Sequence, residues 1–503
     1  TSKGIRFVVK PLLKSLERIQ EWIPKDILRS ESFPEIQTAL FDIHFPEKIE
    51  DALKAKNRFA FENLFLLQLF NLQQKLKLTK ENAPGITTDI ENFKKILEAL
   101  PFTLTVSQKQ SLWEIIQDLE KPTPMNRLLQ GDVGSGKTVV AALAALSVAE
   151  HGYQSAFMAP TEVLAHQHFV TLKKLFKNVS RENQVPIGLL TSASAKAVYE
   201  NDVEADMKKK TLLEHIKRGE IKIVIGTHAL IQKSVAFKNL GLVIVDEQHR
   251  FGVEQRAVLL RQQGTDERSK EAFGGAESLV LIRQPAERVS APRSRRVAAA
   301  GADKTPVLRN AHLQTIPHFL SMSATPIPRT LMLTVFGDLD ISTINELPSG
   351  RRNIITKIVD PENRMKAYAF IRGEVQKGRQ AFVICPRIEK EESLKTAAYG
   401  TNNFKKLELK SVKEEYEKLS QKIFPDLRVA MLHGQLKPKE KEKIMDDFKN
   451  RKTDILVSTS VIEVGVDIPN ATVMMIEGSD RFGLAQLYQF RGRVGRGEHQ
   501  SYC

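Results

Sequence analysis

The sequence predicts an α/β protein in which two parallel-sheet lobes follow one another, preceded by a helical segment, over 503 residues. Three observations carry that expectation. From about residue 100 onward, short apolar runs bounded by turn residues alternate with helical stretches, the pattern of strands buried on both faces. The series starts afresh near residue 350, which makes two lobes of it. Residues 1–95 instead carry the apolar period of helices.

The elements follow in order. Leu12, Leu13, Leu16 and Ile19 share one helical face, and Glu47–Leu76 continues as an apolar-periodic stretch rich in Phe and Leu, so residues 1–95 read as a helical linker or brace. Asn82-Ala83-Pro84-Gly85 breaks that pattern. In the first lobe, residues 96–345, the candidate strands are Arg127–Leu129, Ser155–Met158, Ile187–Leu190, Lys222–Ile225, Leu242–Val245 and Phe319–Met322. In the second, residues 346–503, they are Ile354–Ile358, Ala381–Ile384, Arg428–Leu432, Asp454–Val457 and Thr472–Ile476. Gly264–Thr315 fits neither series: it is rich in Ala, Arg, Gly and Ser, with Arg283, Arg288, Arg293, Arg295 and Arg296 close together. It reads either as a solvated surface insertion or as an additional arm that contacts a polyanion.

Composition bounds the function. Hydrophobic content of 42% and charged content of 27% are those of a soluble globular chain, and a formal net charge of +15 points to a polyanionic partner such as nucleic acid. Two cysteines, Cys385 and Cys503, exclude a cysteine metal cluster and a disulfide framework and fit a reducing compartment. The longest apolar run, Val139–Ala149, falls well short of the roughly 20 residues of a membrane span and reads as a buried helix. No signal peptide is visible, and a chain that opens at Thr1 and stops soon after a dense motif reads as a piece of something longer.

The chemistry concentrates in three places. Gly131-Asp132-Val133-Gly134-Ser135-Gly136-Lys137-Thr138 matches the phosphate-cradling loop G-x-x-x-x-G-K-[ST] without a mismatch. Its glycines let backbone N–H groups face β- and γ-phosphates, Lys137 adds a point charge, and Thr138 offers a hydroxyl to Mg²⁺. Asp246-Glu247-Gln248-His249 ends the apolar run Leu242-Val243-Ile244-Val245. Asp246 is placed to hold Mg²⁺ through water, Glu247 to orient and deprotonate the attacking water, and Gln248 and His249 to sense the γ-phosphate. Near the C-terminus, Gln489-Phe490-Arg491-Gly492-Arg493-Val494-Gly495-Arg496 places Arg493 and Arg496 at i and i+3, on one face, to reach a γ-phosphate across a seam. Upstream, Phe102 and Gln108 precede the phosphate loop; Phe102 can stack on adenine or belong to the core, and Gln108 can read the base edge.

Together these motifs resemble a superfamily 2 helicase, and specifically the RecG family of branched-DNA translocases. The resemblance is carried by Gly131–Thr138, Ala159-Pro160-Thr161-Glu162-Val163-Leu164-Ala165, Asp246–Val253, Ser323-Ala324-Thr325-Pro326-Ile327-Pro328-Arg329-Thr330, Ser458–Pro469 and Gln489–Arg496. Ile43-His44-Phe45-Pro46 and the helix after it also resemble the family's linker. The resemblance implies tandem RecA-like lobes, ATP and Mg²⁺ as cofactors, and DNA with forks or Holliday junctions as substrate. It implies that Gly465, Asp467 and Gln489 face the nucleotide, and that Thr161, Thr227, His228, Pro386, Arg387, His433 and Thr459 line the nucleic-acid track. Hydroxyls, ring N–H groups and backbone amides suit phosphate contact without sequence reading. Ser323 and Thr325, with Gln248 and His249, are the implied couplers of hydrolysis to motion. A monomer without membrane attachment, a single-strand-binding protein as a further partner, and a bacterial cytoplasmic, nucleoid-associated location are implied likewise.

The family's N-terminal wedge has no counterpart before Thr1, nor have its C-terminal elements after Cys503, so the expectation is a motor core. The stretch 264–315 departs from the family pattern between two motifs that must communicate. An RNA helicase, and a fragment that binds nucleic acid without productive turnover, stay open as alternatives. Transcription–repair coupling translocases share many of the motifs, but the Asp246–Val253 run favours RecG. A P-loop kinase or transporter ATPase is disfavoured because those lack a second, loop-free lobe ending in paired arginines.

Overall fold

The computed structural model describes residues 2–13, 19–179, 185–199, 204–232, 234–247, 315–324, 337, 339–346, 352–386, 412–434, 436–459 and 468–503. Of the expected insertion 264–315, residues 264–314 lie outside the described residues, as do Leu16, Gln248, His249, Thr325, Arg387, Gly465 and Asp467.

Thr1–Lys77 belongs to one compact unit. It contains α1 (Ser2–Leu12), α2 (Lys25–Ser30), α3 (Ile36–Asp42) and α4 (Ile49–Leu78), the last 30 residues long. A charge fixes the packed face of α4. The Arg58 side chain is fully enclosed; its Nη2 donates to Glu21 Oε1 at 2.9 Å and its Nη1 to the Pro34 carbonyl at 3.0 Å. A buried guanidinium without such partners would be strongly destabilising, so Glu21 is what makes the charge tolerable there. The rings of Phe33, Phe61, Phe65 and Trp22 form a row in the same unit, with successive centroids 5.1, 5.5 and 5.9 Å apart, the first pair tilted and the others stacked. Of the apolar face expected over Leu12, Leu13, Leu16 and Ile19, Leu12 closes α1, and both Leu12 and Ile19 are exposed.

The second compact unit holds both sheets. Among the described residues the first has nine strands: β1 (Asn126–Gly131), β2 (Gln154–Met158), β3 (Ile187–Leu190), β4 (Ala195–Val198), β5 (Glu204–Asp206), β6 (Ile223–Gly226), β7 (Leu240–Asp246), β8 (His318–Ser323) and β9 (Asp340–Ile344), in the order β5-β4-β3-β6-β2-β7-β8-β1-β9. All neighbouring pairs are parallel except β3–β4 and β4–β5. Helices α5 (Ile90–Glu98), α6 (Val106–Leu119), α7 (Lys137–Glu150), α8 (Glu162–Val179) and α9 (Lys209–Arg218) belong to the same lobe. In α7, Val140–Ala149 is buried throughout, as expected of an apolar run too short to span a membrane. β4, β5 and β9 escaped the sequence reading because none is a continuous apolar run; β9 buries Ser342 and Ile344 and exposes Asp340 and Thr343.

The Asn82–Gly85 break is a strap stitched to this sheet. Ile316 N–H donates to the Asn82 carbonyl at 2.7 Å and Ile86 N–H to Leu119 at 2.8 Å. His318, at the start of β8 and fully buried, accepts the Met125 N–H on Nδ1 at 3.1 Å and donates from Nε2 to the Pro84 carbonyl at 2.8 Å. Burial holds its pKa below the usual histidine value, in favour of the neutral ring those two bonds require.

The second sheet is built from β10 (Gln380–Ile384), β11 (Val429–Leu432), β12 (Ile455–Ser458) and β13 (Ala471–Ile476), all parallel, in the order β11-β12-β10-β13. Helices α10 (Arg364–Gln376), α11 (Pro438–Lys449) and α12 (Leu484–Arg491) accompany it. The strand expected over Ile354–Ile358 does not form. Ile355 makes a single isolated bridge with Tyr502, and Lys357 N–H reaches the Cys503 carbonyl at 2.9 Å, while Ile358 is exposed. Its partner is the far end of the chain, which a local apolar pattern cannot reveal. The α/β class with two RecA-like lobes is thus the architecture observed.

Candidate active site

Parallel strands of one sheet deliver their C-terminal ends to one edge, and there the phosphate loop, Asp246 and Ser323 meet. β8 lies between β7 and β1, with Asp246 opposite Met322 and Gln130 opposite Ser323. Glycine is needed in the loop for two separate reasons. A Cβ on Gly131 would stand 2.6 Å from Ser135 Oγ and 3.0 Å from the Ile344 carbonyl oxygen. Gly134 and Gly136 adopt φ of +79° and +93°, left-handed values that strain any side-chain-bearing residue. Gly136 caps α7, so the helix N-terminus opens directly onto the loop.

Lys137 is buried and donates from Nζ to the Gly131 carbonyl at 2.7 Å and the Asp132 carbonyl at 2.8 Å. Burial lowers its pKa to about 8, against the pull of Asp246, Glu247 and Asp132, and Arg496 lowers it further. Ser135 Oγ is buried with no hydrogen-bond partner, and Thr138 is half-buried beside Lys137. An enclosed lysine, an unsatisfied hydroxyl and a glycine cradle that a Cβ would fill fit a polyphosphate, and the Asp246 carboxylate with the Thr138 hydroxyl fits a hard cation. Gln108, 4% exposed, commits both ends of its amide: Oε1 accepts the Thr105 N–H at 2.9 Å and Nε2 donates to the Ser135 carbonyl at 2.7 Å. In this conformation it props the phosphate loop, and reading a base edge requires those bonds to open. Phe102 is exposed.

Asp246 closes β7 and receives a hydrogen bond from His168 Nε2, on α8, at 2.9 Å. Burial works against its ionisation, but the bond and charge of His168, with Lys137, outweigh that and hold the carboxyl below the usual range. His168 also packs on Phe157, ring centroids 4.7 Å apart. The sequence reading missed it; His168, three residues past the Ala159–Ala165 motif on the same helix and close to His166, acquires meaning only when α8 packs beside β7. Glu247, next along, is nearly buried and sits at φ +53°. A left-handed non-glycine residue is costly and is held in place by its surroundings, here at the residue expected to activate water.

Arg493 and Arg496 do not share a helical face. α12 ends at Arg491, and Gly495 at φ +76° turns the chain between them. What brings them to the loop is close approach: a Cβ on Gly492 would collide with the Val133 side chain. Arg493 and Gln489 are 7% and 5% exposed, and Arg496 Nε donates to the Gly492 carbonyl at 3.4 Å.

The described residues among those expected to meet nucleic acid follow strand C-termini. Thr161 follows β2 and caps α8 by accepting the Leu164 N–H at 3.3 Å; Thr227 and His228 follow β6. Pro386, His433 and Thr459 follow β10, β11 and β12. His228 is exposed and Thr161 and Pro386 are half-buried, whereas Thr227, His433 and Thr459 are buried. A loop not expected from sequence, Thr191–Ser194 after β3, joins the row: Glu162 accepts the N–H groups of Ser192 and Ala193 at 3.0 and 3.3 Å.

Residues 105–273 match the DEAD/DEAH box helicase family, and residues 364–498 match the helicase conserved C-terminal domain. Over the whole chain the sequence is 42% identical to an ATP-dependent DNA helicase RecG of Synechocystis sp. and 42% identical to the RecG of Aquifex aeolicus, covering 51% and 54% of those proteins. The chain therefore spans about half the length of these relatives. A solved structure of RecG bound to a three-way DNA junction superimposes with a TM-score of 0.70 at 36% identity, over all of this chain and 56% of that one. On the identity to these relatives over the whole chain and the matched helicase domains, the chain belongs to the RecG family of helicases.

Proposed function

We propose that this chain is the motor core of an ATP-dependent translocase that acts on branched DNA. The observation that carries the reading is the close approach of the second lobe to the phosphate loop, where a Cβ on Gly492 would collide with the Val133 side chain, so that Arg496 acts on the buried Lys137 amine beside Asp132, Asp246 and Glu247. Contributions from both lobes converge on one buried amine, so the site is complete only when the lobes are together. A motor needs that property. The relatives' identity over the whole chain and the junction-bound RecG structure support DNA, rather than RNA, as the track.

When bound, magnesium ATP supplies the scissile anhydride and the negative charge that transfer must disperse. Lys137 holds compensating charge at the loop, and Thr138 and Asp246 hold the cation. His168 fixes the orientation of the Asp246 carboxylate. The Glu247 carboxylate accepts the proton of the attacking water. Arg493 and Arg496 stabilise the developing charge from the second lobe. Thr161, Thr227, His228, His433 and Thr459, with Arg387, meet DNA phosphates, and Pro386 lies beside them on the track. A monomer in a bacterial cytoplasm, working beside a single-strand-binding protein, is the setting this reading carries.

The test is ATP turnover with no nucleic acid, single strands, duplex, a model fork and structured RNA. The fork gives the highest rate; a larger response to RNA overturns the choice of track. Lys137→Ala and Glu247→Gln abolish turnover and keep fork binding. Retained turnover in Glu247→Gln removes the water-activating role.

A further inference from the structure

We infer that Glu346 is a positioning residue that ties the phosphate loop to the stretch of chain leaving the first sheet. It lies two residues past β9, and its Oε2 accepts the Ser107 N–H at 3.3 Å, at the first turn of α6. From there the connection to the loop is short. Ser107 adjoins Gln108, whose Nε2 donates to the Ser135 carbonyl at 2.7 Å and whose Oε1 accepts the Thr105 N–H at 2.9 Å. A second route runs through the backbone. β9 pairs with β1 so that Ile344 stands opposite Gly131, and the Ile344 carbonyl would be 3.0 Å from a Cβ there. The two residues Asn345 and Glu346 thus bridge a strand end pressed on the loop and a helix that props it.

The site suits a tie that opens and closes rather than a packed anchor. A cavity of about 400 Å³ lies between α6 and β9, and Ser107, Glu114, Thr343, Asn345 and Glu346 are on its lining. The Glu346 carboxylate is held below the usual carboxylate range by the Ser107 N–H and by the hydroxyls of Thr105 and Ser107, so it stays ionised at neutral pH. Being exposed, it contributes little to folding stability. Beyond it the chain enters the second lobe, where Ile355 N–H is bonded to Ser501 at 3.0 Å. A pull on this crossing when the lobes move is therefore felt at Ser107, and through Gln108 at Ser135. An element that both sites bias is the physical requirement for coupling.

This inference rests on the motor reading above. The experiment compares ATP turnover with and without a saturating model fork for the wild-type chain, Glu346→Ala and Glu346→Gln, with the melting temperature and fork affinity of each. Glu346→Ala lowers the fork stimulation by roughly threefold or more, at unchanged melting temperature and fork affinity. Glu346→Gln, which keeps an acceptor for Ser107, retains most of it. Equal stimulation of wild type and Glu346→Ala overturns the inference, and so does a lowered melting temperature with stimulation kept, which leaves Glu346 as a helix cap. A wild-type chain that no fork stimulates overturns the motor reading, and this inference with it.

Discussion

A Cβ on Gly492 would strike Val133, so the arginine turn reaches the phosphate loop only because residue 492 has no side chain. Gly492→Ala forces the two segments apart, and a misplacement of about 1 Å in such a site costs on the order of a hundredfold in turnover. Steady-state turnover at saturating ATP checks this; a near-normal rate would place the arginines' contribution elsewhere. Arg496→Ala leaves the approach intact and removes the charge, and arginines in this role are worth roughly 10³–10⁵ in kcat. Single-turnover measurements with Arg496→Ala then show whether that charge acts at the chemical step. Glu247 makes a related point. Its left-handed backbone, φ +53°, is invisible in a sequence that shows only an acidic pair after an apolar run. The identities of Lys137, Asp246 and Glu247 were legible because phosphate chemistry demands those residue types at those spacings. His168 was not, since nothing local distinguishes a carboxylate's partner from any other helix histidine.

At the scale of elements, β8 carries Ser323 at its catalytic end and His318 at the other, where the ring joins Met125 to Pro84. The folded state holds His318 neutral, its pKa lowered by burial against the opposing effects of the Pro84 carbonyl and Asp118, while the unfolded chain protonates near the ordinary histidine value. A group whose folded pKa is depressed favours folding above its unfolded pKa and loses that contribution as pH falls through it. The melting temperature therefore drops as pH is lowered from about 7 through the ordinary histidine pKa of about 6.5, and His318→Gln flattens that slope. A slope unchanged in His318→Gln would assign the acid sensitivity to other groups. His318→Ala leaves the Pro84 carbonyl and Met125 N–H unsatisfied, at a cost of roughly 1–3 kcal/mol each if both stay dry. The strand expected over Ile354–Ile358 illustrates the limit of local patterns. Its apolar residues are real, but their partners are Ser501 and Cys503. Legible strands such as Ile187–Leu190 and Ala381–Ile384 are buried on both faces, where an uninterrupted apolar run is the physical requirement.

For the whole molecule, the net charge of +15 is a statement about long-range attraction to a polyanion, and it predicts how binding responds to salt. If Lys and Arg side chains of this basic chain neutralise DNA phosphates along the track, the logarithm of fork affinity falls linearly with the logarithm of salt concentration. The slope is about −0.9 per duplex phosphate neutralised by Lys or Arg. Titrations between about 50 and 200 mM salt measure it, and a flat response would rule out phosphate contacts as the source of affinity. By itself the sequence determined the α/β class, the phosphate loop, the acidic pair and the arginine motif, because each is a local demand of chemistry or of burial that a short stretch must satisfy. The tertiary structure alone decided which of these act together. Parallel strands turned separate motifs into one edge, the absence of a side chain at Gly492 let the second lobe approach the first, and His168, Gln108 and Glu346 acquired roles through neighbours tens to hundreds of residues away. Spacing along a chain encodes what a loop can hold; only packing decides what stands opposite it.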